Sequence, residues 1–147
     1  MKKKVADPRY ARSPSYRKVI EAIVRAGKCP FCPKYFKHHQ NPILRRHGTW
    51  FITESTWPYP NTQHHFLIIN TVHKERFDQV TARDFASIFA LLRWAQKEFE
   101  IPGGGFAMRF GDTSYTGATV CHLHAHLIVP LKNQGSDMAK TVLFPIG

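Results

Sequence analysis

Acidic side chains are scarce in this chain of 147 residues: ten Asp and Glu stand against 21 Lys and Arg. Three cysteines are too few for a disulfide framework. No apolar run is long enough to span a bilayer, and the lysines after Met1 lead into no signal-peptide core. These absences argue against a stapled scaffold or a helical membrane protein, and they predict a cytoplasmic chain with no membrane partner. Internal repeats and low-complexity segments are missing as well. What remains is ordinary for a globular protein, with 43% hydrophobic and 21% charged residues in a length that suits one domain.

The net charge of +11 is unevenly spread. Residues 1–28 hold nine Lys and Arg against Asp7 and Glu21, which accounts for +7 of it. A basic surface speeds encounters with polyanions, so this end suits nucleotides and nucleic acid alike. Met1–Arg12 reads as a disordered, solubilising tail, leaving 13–147 as a single domain.

Ser13 and Pro14 read as the N-cap and first residue of a helix that stops at Gly27. Cys29-Pro-Phe-Cys32 follows, a knuckle whose spacing suits two thiolates on one tetrahedral Zn²⁺. Such an ion needs two further ligands, for which His38, His39 and His47 are the local candidates; a pair of core cysteines without metal is the alternative. Thr49–Glu54 and His65–Asn70 read as strands joined by the Pro-rich stretch Trp57–Thr62. Thr81–Phe99 reads as a helix, with Thr81 and Asp84 forming a capping box. Its stripe of Phe85, Ile88, Phe89, Leu92, Ala95 and Phe99 is expected to pack in the core. Ile101–Gly105 breaks the chain, Phe106–Phe110 forms a strand, and Thr141–Phe144 is expected to close the sheet as a last short strand.

Histidine recurs at His122, His124 and His126, within Thr116–Pro130. On a β-strand this period puts the three imidazoles on one face at intervals of roughly 6.5 Å, with Cys121, Leu123, Ala125, Leu127 and Val129 on the core face. The preceding loop, with Gly111, Gly117 and the hydroxyls of Thr113, Ser114, Thr116 and Thr119, has the composition of an anion-binding turn. Phosphorus chemistry or a metal is implied.

The run Gly117-Ala-Thr-Val-Cys-His-Leu-His-Ala-His-Leu-Ile128 resembles the signature of the histidine triad (HIT) superfamily of nucleotidyl hydrolases and transferases. All the signature's histidine and apolar positions match, while Ala118 stands where the family has Gln. The resemblance implies an α+β fold: an antiparallel sheet of about five strands with one packed helix, flanked here by the N-terminal helix and the Cys knuckle. It implies a covalent nucleotidyl-histidine on His124, formed at the α-phosphate of a dinucleoside polyphosphate or nucleoside phosphoramidate. His126 would donate to that phosphate or to the leaving group, and Thr119 and Gly117 would hold its oxygens. Glu54 would grip the ribose, and His65 would open the second hairpin strand beside it. By the same resemblance the zinc ligands would be Cys29, Cys32, His73 and His122, which makes zinc structural and leaves the transfer step without a cofactor. His122 is alternatively an orienting residue, a role that competes with metal binding. A homodimer built by joining sheets is also implied.

Two other classes compete with this enzyme. In one, all three histidines ligate a single metal, which successive alternate strand positions reach poorly. In the other, the fold binds nucleotides or nucleic acid without turning them over, using the basic N-terminus and 13% aromatic content.

Overall fold

The computed structural model describes residues 3–147. In chain order, α1 spans Pro14–Ala26, β1 Ile43–His47, β2 Trp50–Glu54, β3 Thr62–Asn70, α2 Ala82–Glu98, β4 Gly105–Met108, α3 Thr113–Thr116 and β5 His124–Pro130. The five strands form one antiparallel sheet in the order β1-β2-β3-β5-β4.

Alternation along the strands divides the sheet into two faces. Trp50, Ile52, Phe66, Ile68, Ala125, Leu127 and Val129 face α2 and pack against Ile88, Leu91 and Ala95. Phe51, Leu67 and Ile69 face the other way, under Phe31 of the Cys knuckle and Phe36 of the segment after it. The hairpin between β1 and β2 turns at Gly48, whose φ of +55° and tight approach to Ser87 Oγ exclude a side chain.

Both expected helix starts are present. Ser13 Oγ accepts from Tyr16 N, and Gly27 closes α1 in the left-handed region. Thr81 and Asp84 form the capping box of α2. Asp84 also accepts from Trp50 Nε1, Asn70 Nδ2 and Lys74 Nζ, which fastens the helix to the ends of β2 and β3. The buried face of α2 differs from the expected stripe: it is Asp84, Ser87, Ile88, Leu91 and Ala95. Phe85 and Phe89 are 40% and 59% exposed, because the polar cap itself occupies the inward face at the helix start.

Three further expectations are corrected. β5 begins only at His124, so His122 lies in the bend before it and leaves the shared face. Thr141–Phe144 is not a strand; β1, which the sequence reading passed over, supplies the fifth. Asn61 Nδ2 donates to Thr141 O, and Lys140 N to Leu131 O, but Pro145 follows at once and the segment curls over the opposite face instead. Finally, Met1 and Lys2 of the expected tail lie outside the described residues, but the rest of it is packed. Val5, Ala6 and Ala11 are buried with Ile20, Ile23 and Val120. Ala6 bridges Val120, and Asp7 N donates to Thr119 O. The apolar pair Val5-Ala6 anchors the segment, while Asp7 neutralises Lys4 and Arg9. Among the described residues, no helix is long and apolar enough to cross a membrane.

Candidate active site and metal centre

His124 and His126 project from β5 on the face away from α2, joined there by His65 of β3. All three are buried. Burial lowers the pKa of His65 and His124 to about 4 and pushes His126 well below its ordinary value, with the Arg109 guanidinium adding to each shift. At neutral pH the imidazoles are therefore uncharged, and what each presents depends on where its one proton sits.

The surrounding hydrogen bonds fix those positions. Tyr59 N donates to His65 Nδ1 at 3.0 Å, so the His65 proton is on Nε2. That Nε2–H donates to His126 Nδ1 at 2.9 Å, which places the His126 proton on Nε2 in turn. Among the described residues, His126 Nε2 is the one buried side-chain nitrogen or oxygen without a partner. His124 is set the opposite way: its Nδ1–H donates to the His122 carbonyl at 2.7 Å, leaving a lone pair on Nε2. The ring centroids of His124 and His126 are 4.9 Å apart. One ring thus offers a nucleophilic nitrogen and its neighbour an unspent N–H.

These rings line a cavity of about 540 Å³ between the sheet, α1 and the β2–β3 connection. Its lining combines apolar Ile20, Ile23 and Phe31 and a stacked pair, Tyr16 and Trp57, 5.2 Å apart, with the polar groups of Thr119, Tyr59 and Arg109. Thr119 and Gly117 both reach the cavity, and Thr119 Oγ1 shares a 2.7 Å hydrogen bond with the Tyr16 hydroxyl. The loop before them is less free than its composition suggests. Gly117 N donates to Thr113 O, Ala118 N to Thr116 Oγ1, and Thr113 is buried on Asp7.

Glu54 does not reach the cavity. At the end of β2 it is exposed on the α2 face, with His64 Nδ1 3.8 Å away. Two-residue periodicity sends its neighbour Thr53 inward instead, where Thr53 Oγ1 meets His39 Nε2 at 2.7 Å. Sequence reasoning missed Tyr16, Tyr59, Arg109 and Phe144. Only the two aromatic residues flanked by prolines or helix signals were detectable as local features, and none had a spacing that pointed to the triad.

The second cluster is the Cys knuckle. Cys29, Cys32, His73 and His122 bring their donor atoms within 4.8 Å of one another. His122 Nδ1 is 3.3 Å from Cys29 Sγ and 3.8 Å from Cys32 Sγ, and His73 Nδ1 is 3.4 Å from Cys32 Sγ. The edges of a tetrahedral Zn²⁺ site with these ligands are roughly 3.4–3.8 Å, so the donor set fits. Each histidine turns its other nitrogen to a partner: His122 Nε2–H donates to Asn70 O, and His73 Nε2–H to Glu75 Oε1, both at 2.7 Å. That is the usual outer support of a metal-bound imidazole. Burial, helped by the neighbouring Cys32, pushes the Cys29 thiol up to about 12, and burial with His73 and His124 nearby pushes His122 down to about 3, so a thiolate here needs a cation beside it. His38, His39 and His47 stay apart from the cluster. With His122 turned to the cysteines, the three triad histidines do not converge on one metal.

The sequence matches the profile of the HIT domain over residues 58–133, just over half of its length, and the chain belongs to that family. A histidine triad nucleotide-binding protein from Candida albicans superimposes with a TM-score of 0.58 at 17% identity, over 78% of this chain and 86% of its own. A HIT family hydrolase from Clostridium thermocellum gives 0.54 at 21% identity, over 79% and 97%. A zinc-bound histidine triad family protein from Mycobacterium smegmatis gives 0.54 at 20% identity, over 80% and 84%. At these identities the likeness is one of fold. No curated protein matches the sequence.

Proposed function

We propose that the chain is a nucleotidyl hydrolase or transferase acting at the α-phosphate of a nucleoside phosphate. The observation that carries this reading is the opposed pair of tautomers, a lone pair on His124 Nε2 beside an unpartnered N–H on His126. His124 Nε2 attacks phosphorus and forms a P–N bond, while the bond to the leaving group breaks and that group takes the electron pair. The His126 N–H donates to the phosphate or to the departing atom, where negative charge accumulates. Water or another acceptor then attacks the same phosphorus, the P–N bond breaks, and the electron pair returns to His124; an attacking water releases its proton to solvent. The aromatic side chains of the cavity, among them Tyr16 and Trp57, offer surfaces for the base. Two fold neighbours, one a nucleotide-binding protein and one a hydrolase, support the same reading.

Intact mass after brief incubation with a diadenosine polyphosphate or an adenosine phosphoramidate tests it. A transient gain of one nucleotidyl group in the wild type, absent in His124→Gly, is expected. AMP or ADP among the products separates water from phosphate as acceptor. No adduct and no turnover with either substrate would make the chain a nucleotide-binding protein instead.

Zn²⁺ on Cys29, Cys32, His73 and His122 is part of the proposal, supported by the donor geometry above and by the zinc in the mycobacterial neighbour. It is assigned no step in the transfer. A homodimer is supported by the unpaired edge of β4, where Phe106 is exposed, and by the exposed Phe85 and Phe89 of α2.

A further inference from the structure

Lys4 and Arg9 meet Asp7, and Lys74 meets Asp84. Arg109 has no such partner. It is buried, with 9% of its surface exposed, and among the described residues no carboxylate lies within ion-pair distance. Its guanidinium lies over the Phe144 ring, 3.9 Å from the centroid. Nε donates to Pro145 O at 2.8 Å, and Nη2 to the Tyr59 hydroxyl at 3.0 Å. These contacts orient the group and engage two N–H bonds of its fork, leaving the others for the cavity it lines.

A guanidinium buried without a counter-ion is costly, and one held rigidly in that state is prepared for an anion. Arg12 adds a second positive charge at the same wall, 4.9 Å from the Tyr59 ring centroid and likewise without a carboxylate. The Tyr59 ring stacks on His126 at 5.7 Å, so both cations lie on the His126 side of the site. An α-phosphate bonded to the ribose on one side and to the leaving group on the other carries a single negative charge, which the His126 N–H already addresses. Two guanidiniums exceed that need, and they would repel the amine released from a phosphoramidate.

We propose that Arg109 is a specificity-determining residue that grips a second phosphate on the leaving-group side, so that the preferred substrate carries a chain of two or more phosphates rather than an amidate. This rests on the nucleotidyl-transfer reading for its reaction, but it makes a binding claim that stands apart from turnover. Guanidinium is suited to the task because its fork matches two phosphate oxygens at once.

The first test is calorimetric binding of AMP and ADP to the wild type, Arg109→Gln and Arg109→Lys. ADP is expected to bind about tenfold or more tighter than AMP in the wild type, with the ratio collapsing toward unity in Arg109→Gln and only partly in Arg109→Lys. A merely structural Arg109, pinning Phe144 and Pro145, would weaken both ligands alike and leave the ratio unchanged. Equal binding of AMP and ADP by the wild type overturns the proposal without any variant, whether or not Arg109→Gln folds. The second test compares kcat/KM for diadenosine triphosphate and adenosine phosphoramidate. Arg109→Gln is expected to lower the first about 10- to 100-fold and to leave the second within about threefold; parallel losses overturn the proposal. If the wild type turns over neither substrate, the transfer reading fails, while the AMP-to-ADP ratio still decides the role of Arg109.

Discussion

Two histidine clusters sit a few residues apart along the same stretch of chain, and they differ in what they leave undone. In the knuckle, His73 and His122 use both ring nitrogens, one toward sulfur and one toward an oxygen. In the cavity, His124 and His126 each use one and leave the other facing open space. The satisfied cluster behaves as structure. The unsatisfied one retains the donor and the lone pair that chemistry requires, at the expense of stability. Completeness of hydrogen bonding thus separates the two roles more cleanly than residue type, since both clusters are imidazoles in the same dry interior.

The contrast can be broken first at the knuckle. Cys32→Ser is expected to lower stability by about 3 kcal/mol, near 10 °C in Tm, through loss of the metal. Thermal scans with and without a chelator check this: the chelator should lower the wild type and leave the variant unmoved. The next largest effect falls on the relay that sets the tautomers. His65→Phe keeps an aromatic ring but removes the donor to His126, and kcat is expected to fall about 10- to 100-fold with a smaller change in KM. Steady-state kinetics on a substrate that the wild type turns over provide the check.

Acid should act on the cavity cluster. Its folded-state pKa values lie below the roughly 6.5 of a free imidazole: about 4 for His65, and well below the ordinary value for His126. The unfolded chain therefore binds protons that the folded chain refuses. Stability present above pH 6.5 is lost as pH falls from there toward 4, at up to about 1.4 kcal/mol per pH unit for each ring. Denaturant midpoints at pH 7, 6 and 5 would show the decline, and His65→Phe should flatten part of it. The smallest effect is expected at Glu54→Gln. Its side chain lies outside the cavity, so kcat/KM should change by less than about twofold, whereas a ribose contact would cost more than tenfold.

Much of this was legible in the sequence for a physical reason: caps, knuckles and the triad are short-range patterns. Ser13, Gly27, Thr81 and Asp84 mark helix ends with their own side chains. In the knuckle cluster, Cys29 and Cys32 are marked by their own spacing, and His73 and His122 by the family resemblance. What escaped depended on the partner across the fold. Glu54 and Thr53 differ by one residue and so by one face of the sheet, which only register decides. The charges near Met1 drew attention from Val5 and Ala6, whose burial depends on α1 and Val120. His122 falls in the bend before β5, with its ring turned to the cysteines, and a strand period cannot anticipate where a strand begins.

Asn70 gives this arrangement a further consequence. Its side chain donates to Asp84 at the start of α2, and its carbonyl receives the His122 ring, whose own carbonyl orients His124. Scaffold and proposed reaction centre therefore share one short line of bonds, through which a shift at the start of α2 reaches His124. The walls of the cavity are under no such constraint. Tyr16, Trp57 and Tyr59 come from a helix and a connection that contribute nothing to the sheet ladder. Under the proposed function, substrate preference can drift through those positions while the triad stays fixed, so one reaction centre becomes adaptable to different ligands.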